Sequence, residues 1–319
     1  MSVCSRHSCF APDCSCDLGF VNHTKCPSWG KGSEDASASA MEHTNSLLLP
    51  WSGSALGLAD LSFVAGPGKP LVVGVVGPQS AGKTTLLAAW YLLIGRGLAC
   101  SEKRRFAGSY SLAGWEALAG SLRWSPGNPP NFPPHTTSRG GRAPGLLHAS
   151  FRNGSGDAHG YLFTDAPGEW FQKWSINREA PDAEGARWIA AHADMFLLIA
   201  DRQALAGENK GSARSALQVL ARRLAAERAG RPVALVWTKA DVSIAPEIET
   251  AVRDAVLKLM PNTREFSVSV SSSGDDENKG QGLLELLDWA IDIRRARLSL
   301  PPPQAASSDL LFMFGVKQP

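Results

Sequence analysis

Residues 71–84 read LVVGVVGPQSAGKT, from Leu71 to Thr84, and this stretch decides the fold. Leu71–Val76 is an unbroken apolar run, as expected of a strand covered on both faces. Gly77-Pro78-Gln79-Ser80-Ala81-Gly82-Lys83-Thr84 follows and fits the spacing G-x4-G-K-S/T. The apolar stretch Thr85–Ile94 then predicts a helix. Glycines at positions 77 and 82 let backbone N–H groups wrap a chain of phosphates. The helix N-terminus adds partial positive charge. In such a loop Lys83 is expected to reach the β- and γ-phosphates and the Thr84 hydroxyl to ligate Mg²⁺, with Thr85 beside it. An ordinary glycine-rich turn would lack the strand before and the helix after.

Outward from this segment, strands alternate with helices. Gly145–Arg152, Gly160–Thr164, Met195–Ala200, Val233–Trp237 and Glu265–Val270 read as further strands. Leu217, Leu220 and Leu224 fall on one helical face, and Ile248, Val252, Val256 and Leu259 on another. Leu283, Leu286, Leu287, Ala290 and Ile293 form a third face. The pattern predicts an α/β fold with a mainly parallel sheet and helices on both faces, spanning residues 47–298. A ligand then sits at the carboxyl edge of the sheet.

Two further segments follow predicted strands. Asp165-Ala166-Pro167-Gly168 closes the run YLFT; Asp165 is placed to hold Mg²⁺, and the Gly168 N–H to sense a γ-phosphate. Alone, such a tetrapeptide also describes a turn. Thr238-Lys239-Ala240-Asp241 follows VALVW and fits N/T-K-x-D. A carboxylate at Asp241 can accept from guanine N1–H and the 2-amino group together, a donor pair that adenine lacks. The Lys239 stem would pack over the base.

With these three segments in this order, residues 65–295 resemble the TRAFAC class of P-loop GTPases. The resemblance identifies Ser269 and Val270, with Ser271, as the loop against the base, implies GTP/GDP and Mg²⁺ as ligands, and calls for a switch threonine. Thr136 and Thr137 are the candidates, Thr137 preferred, in the loop PGNPPNFPPHTTSRGGRAPG. A closer likeness lies in DAPGEWFQKW, GARWIAAHADMFLLIADRQAL and VALVWTKAD, which resemble the bacterial double-GTPase family of the second type. That family implies a partner GTPase, engaged through the switch regions, in a bacterial signalling or conflict system.

Glu169 stands where Ras-like GTPases carry the water-orienting Gln, whereas QSAGK resembles the dynamin loop. Gln79 or Ser80 would therefore substitute, with positive charge from Arg139, Arg142 or a partner. Slow Mg²⁺-dependent GTP hydrolysis is the expectation. A non-hydrolysing nucleotide-binding adapter and an ATP-using P-loop protein or kinase are the alternatives. Trp170, Phe171 and Trp174 are either surface displayed by nucleotide state or core, and core is the reading preferred for at least one of them. A helix bearing Leu112, Trp115, Leu118 and Leu122 on one face is an insertion relative to small Ras-like proteins.

The 319 residues carry 44% hydrophobic and 19% charged side chains and a net charge of +2. This is a globular composition, not a disordered one. Its balance of 32 basic and 30 acidic residues offers no global attraction to nucleic acid or anionic lipid. No run reaches the ~18 apolar residues of a membrane span, and no secretory h-region opens the chain, so a cytoplasmic protein without membrane contact is expected. Five of the six cysteines lie in residues 1–26. Cys4, Cys9, Cys16 and Cys26 are the expected Zn²⁺ ligands, with Cys14 spare; an unmetallated Cys-rich tail is the other reading. Sparse basic residues there favour a structural or protein-docking role over nucleic acid. Residues 27–46 read as a Ser/Gly/Ala-rich linker and 299–319 as a tail whose apolar Leu310–Val316 packs on its own domain, adds an edge strand or docks on a partner.

Overall fold

The computed structural model describes residues 22–29, 55–66, 68–98, 104–124, 126–127, 131–133, 144–270 and 280–295. The chain divides into two compact units, Met1–Leu49 and Pro50–Pro319. In the first, the described residues form a short 3₁₀ turn at His23–Lys25, in which Asn22 Oδ1 accepts from the Thr24 backbone N–H and hydroxyl, and Cys26 is buried.

The second unit carries the elements in this order: α1 (Leu61–Val64), β1 (Leu71–Val76), α2 (Lys83–Gly95), β2 (Arg104–Gly108), α3 (Leu112–Ala119), β3 (Gly145–Asn153), β4 (Ala158–Asp165), α4 (Gly168–Ile176), α5 (Glu184–His192), β5 (Met195–Asp201), α6 (Arg202–Ala206), α7 (Lys210–Glu227), β6 (Val233–Thr238), α8 (Pro246–Leu259), β7 (Arg264–Val268) and α9 (Gln281–Asp292). The sheet has seven strands in the order β2-β3-β4-β1-β5-β6-β7. β1 pairs in parallel with β4 and β5, and β5, β6 and β7 continue in parallel. β3 runs antiparallel to both β2 and β4.

Every residue of β1, β5 and β6 is buried because helices cover both faces. Alternation along β5 sorts Phe196, Leu198 and Ala200 into one core cluster with α5, α7 and α8, and Met195, Leu197 and Ile199 into the other with α2 and α9. This burial is the main source of stability, at roughly 25 cal/mol per Å² of apolar surface. β1 is central, so Gly77 and the loop after it leave the middle of the sheet at its carboxyl edge.

The helices behave as amphipathic spacing dictates, with two exceptions, in α8 and α3. Leu217, Leu220 and Leu224 of α7 and Leu283, Leu286, Leu287 and Ala290 of α9 are buried. In α8, Val252 and Val256 are buried, but Leu259 in the last turn has rotated partly into solvent. In α3, Trp115 is buried while Leu112 is exposed, and Leu122 falls in a 3₁₀ turn, so the expected four-residue stripe is not one face. α3 and the turn before it are fastened through His148 of β3. Its carbonyl accepts from Trp115 Nε1 at 2.8 Å, its N–H donates to Ser111 Oγ at 2.7 Å, and its ring Nδ1 accepts the Tyr110 N–H at 3.0 Å.

Candidate nucleotide-binding site

The loop between β1 and α2 turns twice through the left-handed region, at Ser80 (φ 59°) and Gly82 (φ 83°). Glycine takes that conformation freely, and serine at some cost. Lys83 opens α2, with its ammonium folded back into the loop, where it donates to the carbonyls of Gly77 (3.1 Å) and Pro78 (2.7 Å). Burial pushes the Lys83 amine down to about 8 against the opposing pull of Asp165 and Glu169. The Phe171 ring lies 5.9 Å from the same nitrogen.

Asp165 ends β4, and its Oδ1 accepts from the Thr84 hydroxyl at 3.0 Å. Hydroxyl and carboxylate oxygens side by side are the hard donors that Mg²⁺ takes, so this pair fits the ion. Gly168, the first residue of α4, is pressed against the phosphate loop. A Cβ placed there would stand 2.1 Å from Gln79 N and 2.4 Å from Gln79 Cα, so only glycine fits. Gln79 and Ser80 are exposed at the cleft.

Thr238 ends β6, and its buried hydroxyl lies 2.8 Å from the carbonyl of Ala81 and 3.3 Å from that of Ala200. Beyond it, Asp241 Oδ1 accepts from Ser269 Oγ at 2.5 Å, which joins the loop after β6 to the loop after β7. Lys239 adopts φ 55°, and its ammonium donates to Asp201 Oδ2 (2.8 Å) and Gln203 Oε1 (2.9 Å).

A cleft of about 430 Å³ joins these parts. Gln79, Ser80, Gly82, Lys83, Thr84 and Thr85 line it at one end, Gly168 borders it, and Lys239, Asp241, Ser269 and Val270 line the other. The volume falls within the ordinary range for a small-molecule site. Asp165 joins it through Thr84. Of the residues read from sequence, Thr136, Thr137, Arg139, Arg142 and Ser271 lie outside the described residues. Trp170, Phe171 and Trp174 are all buried, packed in the cluster with α5 and α7, so none of the three is displayed here.

Sequence reading missed Phe132, Pro133, Gln203 and Leu283, which also line the cleft, and the Asp201 anchor behind it. Phe132 sits in a proline-rich stretch with no periodicity to mark it. A carboxylate closing the apolar run of β5 was a readable signal for Asp201, since Asp favours the position before a helix.

Among the described residues, no group of three or more His, Cys, Asp or Glu side chains is placed to hold a metal ion. Cys4, Cys9, Cys14 and Cys16 lie outside the described residues, as does Leu310–Val316. No helix among the described residues is long and apolar enough to cross a membrane.

A family model described as Double-GTPase 2 matches residues 71–290. Among solved structures, Methanosarcina barkeri Roco2 RocCORdC bound to GDP is similar at 12% identity and a TM-score of 0.39, over 78% of this chain and 54% of that one. Era in complex with MgGDPNP and nucleotides 1506–1542 of 16S ribosomal RNA is similar at 18% identity and a TM-score of 0.36, over 73% and 60%. The chain therefore spans between half and two thirds of the length of these solved proteins. No curated protein matches.

Proposed function

The chain belongs to the Double-GTPase 2 family, and on that premise we propose that it is a guanine-nucleotide switch with slow Mg²⁺-dependent GTPase activity. The observation that carries this reading is the single cleft with Lys83 and Thr84 at one end and Asp241 at the other. In this reading Gly82, Lys83 and the loop amides hold the phosphates. Asp241, oriented by Ser269, accepts from the guanine edge, and Lys239 and Val270 flank the ring. Thr84 and Asp165 would hold Mg²⁺, with Thr137 as the switch ligand. The ion supplies charge neutralisation at the β- and γ-phosphates.

What lines the cleft supports a slow rate. Among the described residues Lys83 and Lys239 are its cations, and no arginine lines it. An arginine finger contributes roughly 10³–10⁵ in rate, so hydrolysis without one is slow. Gln79 and Ser80 are the exposed polar groups at the phosphate end suited to orient water, in place of the glutamine that Glu169 replaces. Arg139, Arg142 or an arginine from a partner GTPase would supply the missing charge. We read the setting as a bacterial cytoplasmic signalling or conflict system, with residues 1–26 as a zinc module on a 27–46 linker and 299–319 as a tail.

Single-turnover phosphate release from bound GTP, with and without a partner GTPase, tests the enzyme reading. Slow release that a partner accelerates is expected. No release under either condition leaves a nucleotide-binding adapter. Metal analysis of the same sample tests the zinc module.

A further inference from the structure

Asp201 ends β5 with its carboxylate turned into the fold, 7% exposed. Its two oxygens do different work. Oδ1 accepts the N–H groups of Gln203 (2.9 Å) and Ala204 (3.4 Å) and so caps α6. Oδ2 accepts from the Lys239 ammonium at 2.8 Å, and Gln203 Oε1 accepts a second bond from the same ammonium at 2.9 Å. Capping needs only one oxygen, and Asn supplies it as well as Asp. The charge on Asp201 therefore serves Lys239.

Lys239 lines the cleft, and its backbone holds φ 55°, a left-handed conformation that is costly for a non-glycine residue. A free lysine side chain carries a large rotamer entropy. Held at its tip by a buried carboxylate and an amide, the Lys239 side chain has surrendered much of that freedom before any ligand arrives. Preorganisation of this kind raises affinity by lowering the ordering cost of binding.

We propose that Asp201 is a positioning residue for the purine. It fixes the Lys239 ammonium, with Gln203 as second tether, so that the Lys239 stem forms a preset apolar platform at the base end of the cleft. The inference rests on the nucleotide reading above and extends it to the source of ring affinity. Because Lys239 meets the ring and Lys83 the phosphates, loss of the Asp201 charge weakens ligands that carry a base and spares ligands that do not.

Equilibrium binding to the full chain with Mg²⁺ provides the test, using wild type, Asp201→Asn, Lys239→Met and the double variant. The probes are GDP and inorganic tripolyphosphate. Asp201→Asn is expected to weaken GDP about tenfold, the scale of one hydrogen bond to a charged group, and to leave tripolyphosphate unchanged. In the Lys239→Met background the same substitution should change GDP binding less than about twofold, because the group it positions is already gone. An equal GDP loss in both backgrounds, an equal loss for both probes, or no loss at all overturns the inference while leaving the nucleotide reading intact. Wild-type protein that binds no GDP overturns that reading, and this inference with it.

Discussion

The Thr238 hydroxyl donates to the carbonyl of Ala81 at 2.8 Å, across 157 residues of sequence. It lies also 3.3 Å from the carbonyl of Ala200. One side chain thus joins the β1–α2 loop, the end of β5 and the end of β6. Thr238→Val keeps the shape and removes the donor, leaving a buried carbonyl short of a partner. A loss of about 1–3 kcal/mol in unfolding free energy is expected, together with weaker GDP binding. Urea denaturation checks it, and an unchanged midpoint contradicts it.

Lys83 gives the protein a pH signature. Burial lowers its amine from the usual 10.5 to about 8. Between those values the unfolded chain carries a proton that the folded chain has shed, so stability without nucleotide rises with pH over that window. Below about pH 8 both states are protonated, and the contribution is flat. The whole rise amounts to about 3 kcal/mol. Lys83→Met should abolish it, as read from unfolding curves at pH 7.5 and 9.5 (both chosen for the assay, roughly either side of the folded value). Parallel pH dependence in the two proteins contradicts the assignment.

The β2–α3 segment should loosen in acid. Burial pushes the His148 ring down to about 4 from its usual 6.5, and its Nδ1 accepts the Tyr110 N–H, a bond that protonation removes. Here too the unfolded chain binds more protons between the two values. Stability is therefore fully present above about pH 6.5 and is lost as pH falls through about 4. The protection factor of the Tyr110 amide, the unprotected exchange rate at the same pH divided by the observed rate, should fall as pH falls across that range in wild type. In His148→Asn, which has no proton to gain there, protection at that amide should show no such transition. A wild-type amide whose protection is constant across the range contradicts the account.

The elements that sequence revealed are those whose pattern is local. β1 was bounded to the residue because its apolar run ends in a glycine turn. β5 and β6 each extend one residue past their apolar runs, to Asp201 and Thr238, because a polar side chain that points into the sheet edge still belongs to the strand. β2 escaped notice because RRFAG is a short edge strand, opened by two arginines and without alternation to mark it. At the site, Lys83, Asp165 and Asp241 were legible because each belongs to a motif with fixed spacing. Gln203 and Phe132 were not, because their places arise from contacts that only the folded sheet edge creates; Asp201 was readable as a carboxylate before a helix, but nothing in the sequence marked its bond to Lys239. The burial of Trp170, Phe171 and Trp174 together was likewise undetermined by spacing, since α4 could have faced either way.

Lys83 and Asp241 line one cleft, and the proposed function requires one ligand to reach both. Equilibrium binding of GDP against ADP with Mg²⁺, in wild type and in Asp241→Asn, measures this most directly. The account predicts GDP at least about a hundredfold tighter than ADP in wild type, as two hydrogen bonds to one carboxylate imply, with that preference collapsing in Asp241→Asn. Equal affinity of the wild-type protein for the two diphosphates would contradict it.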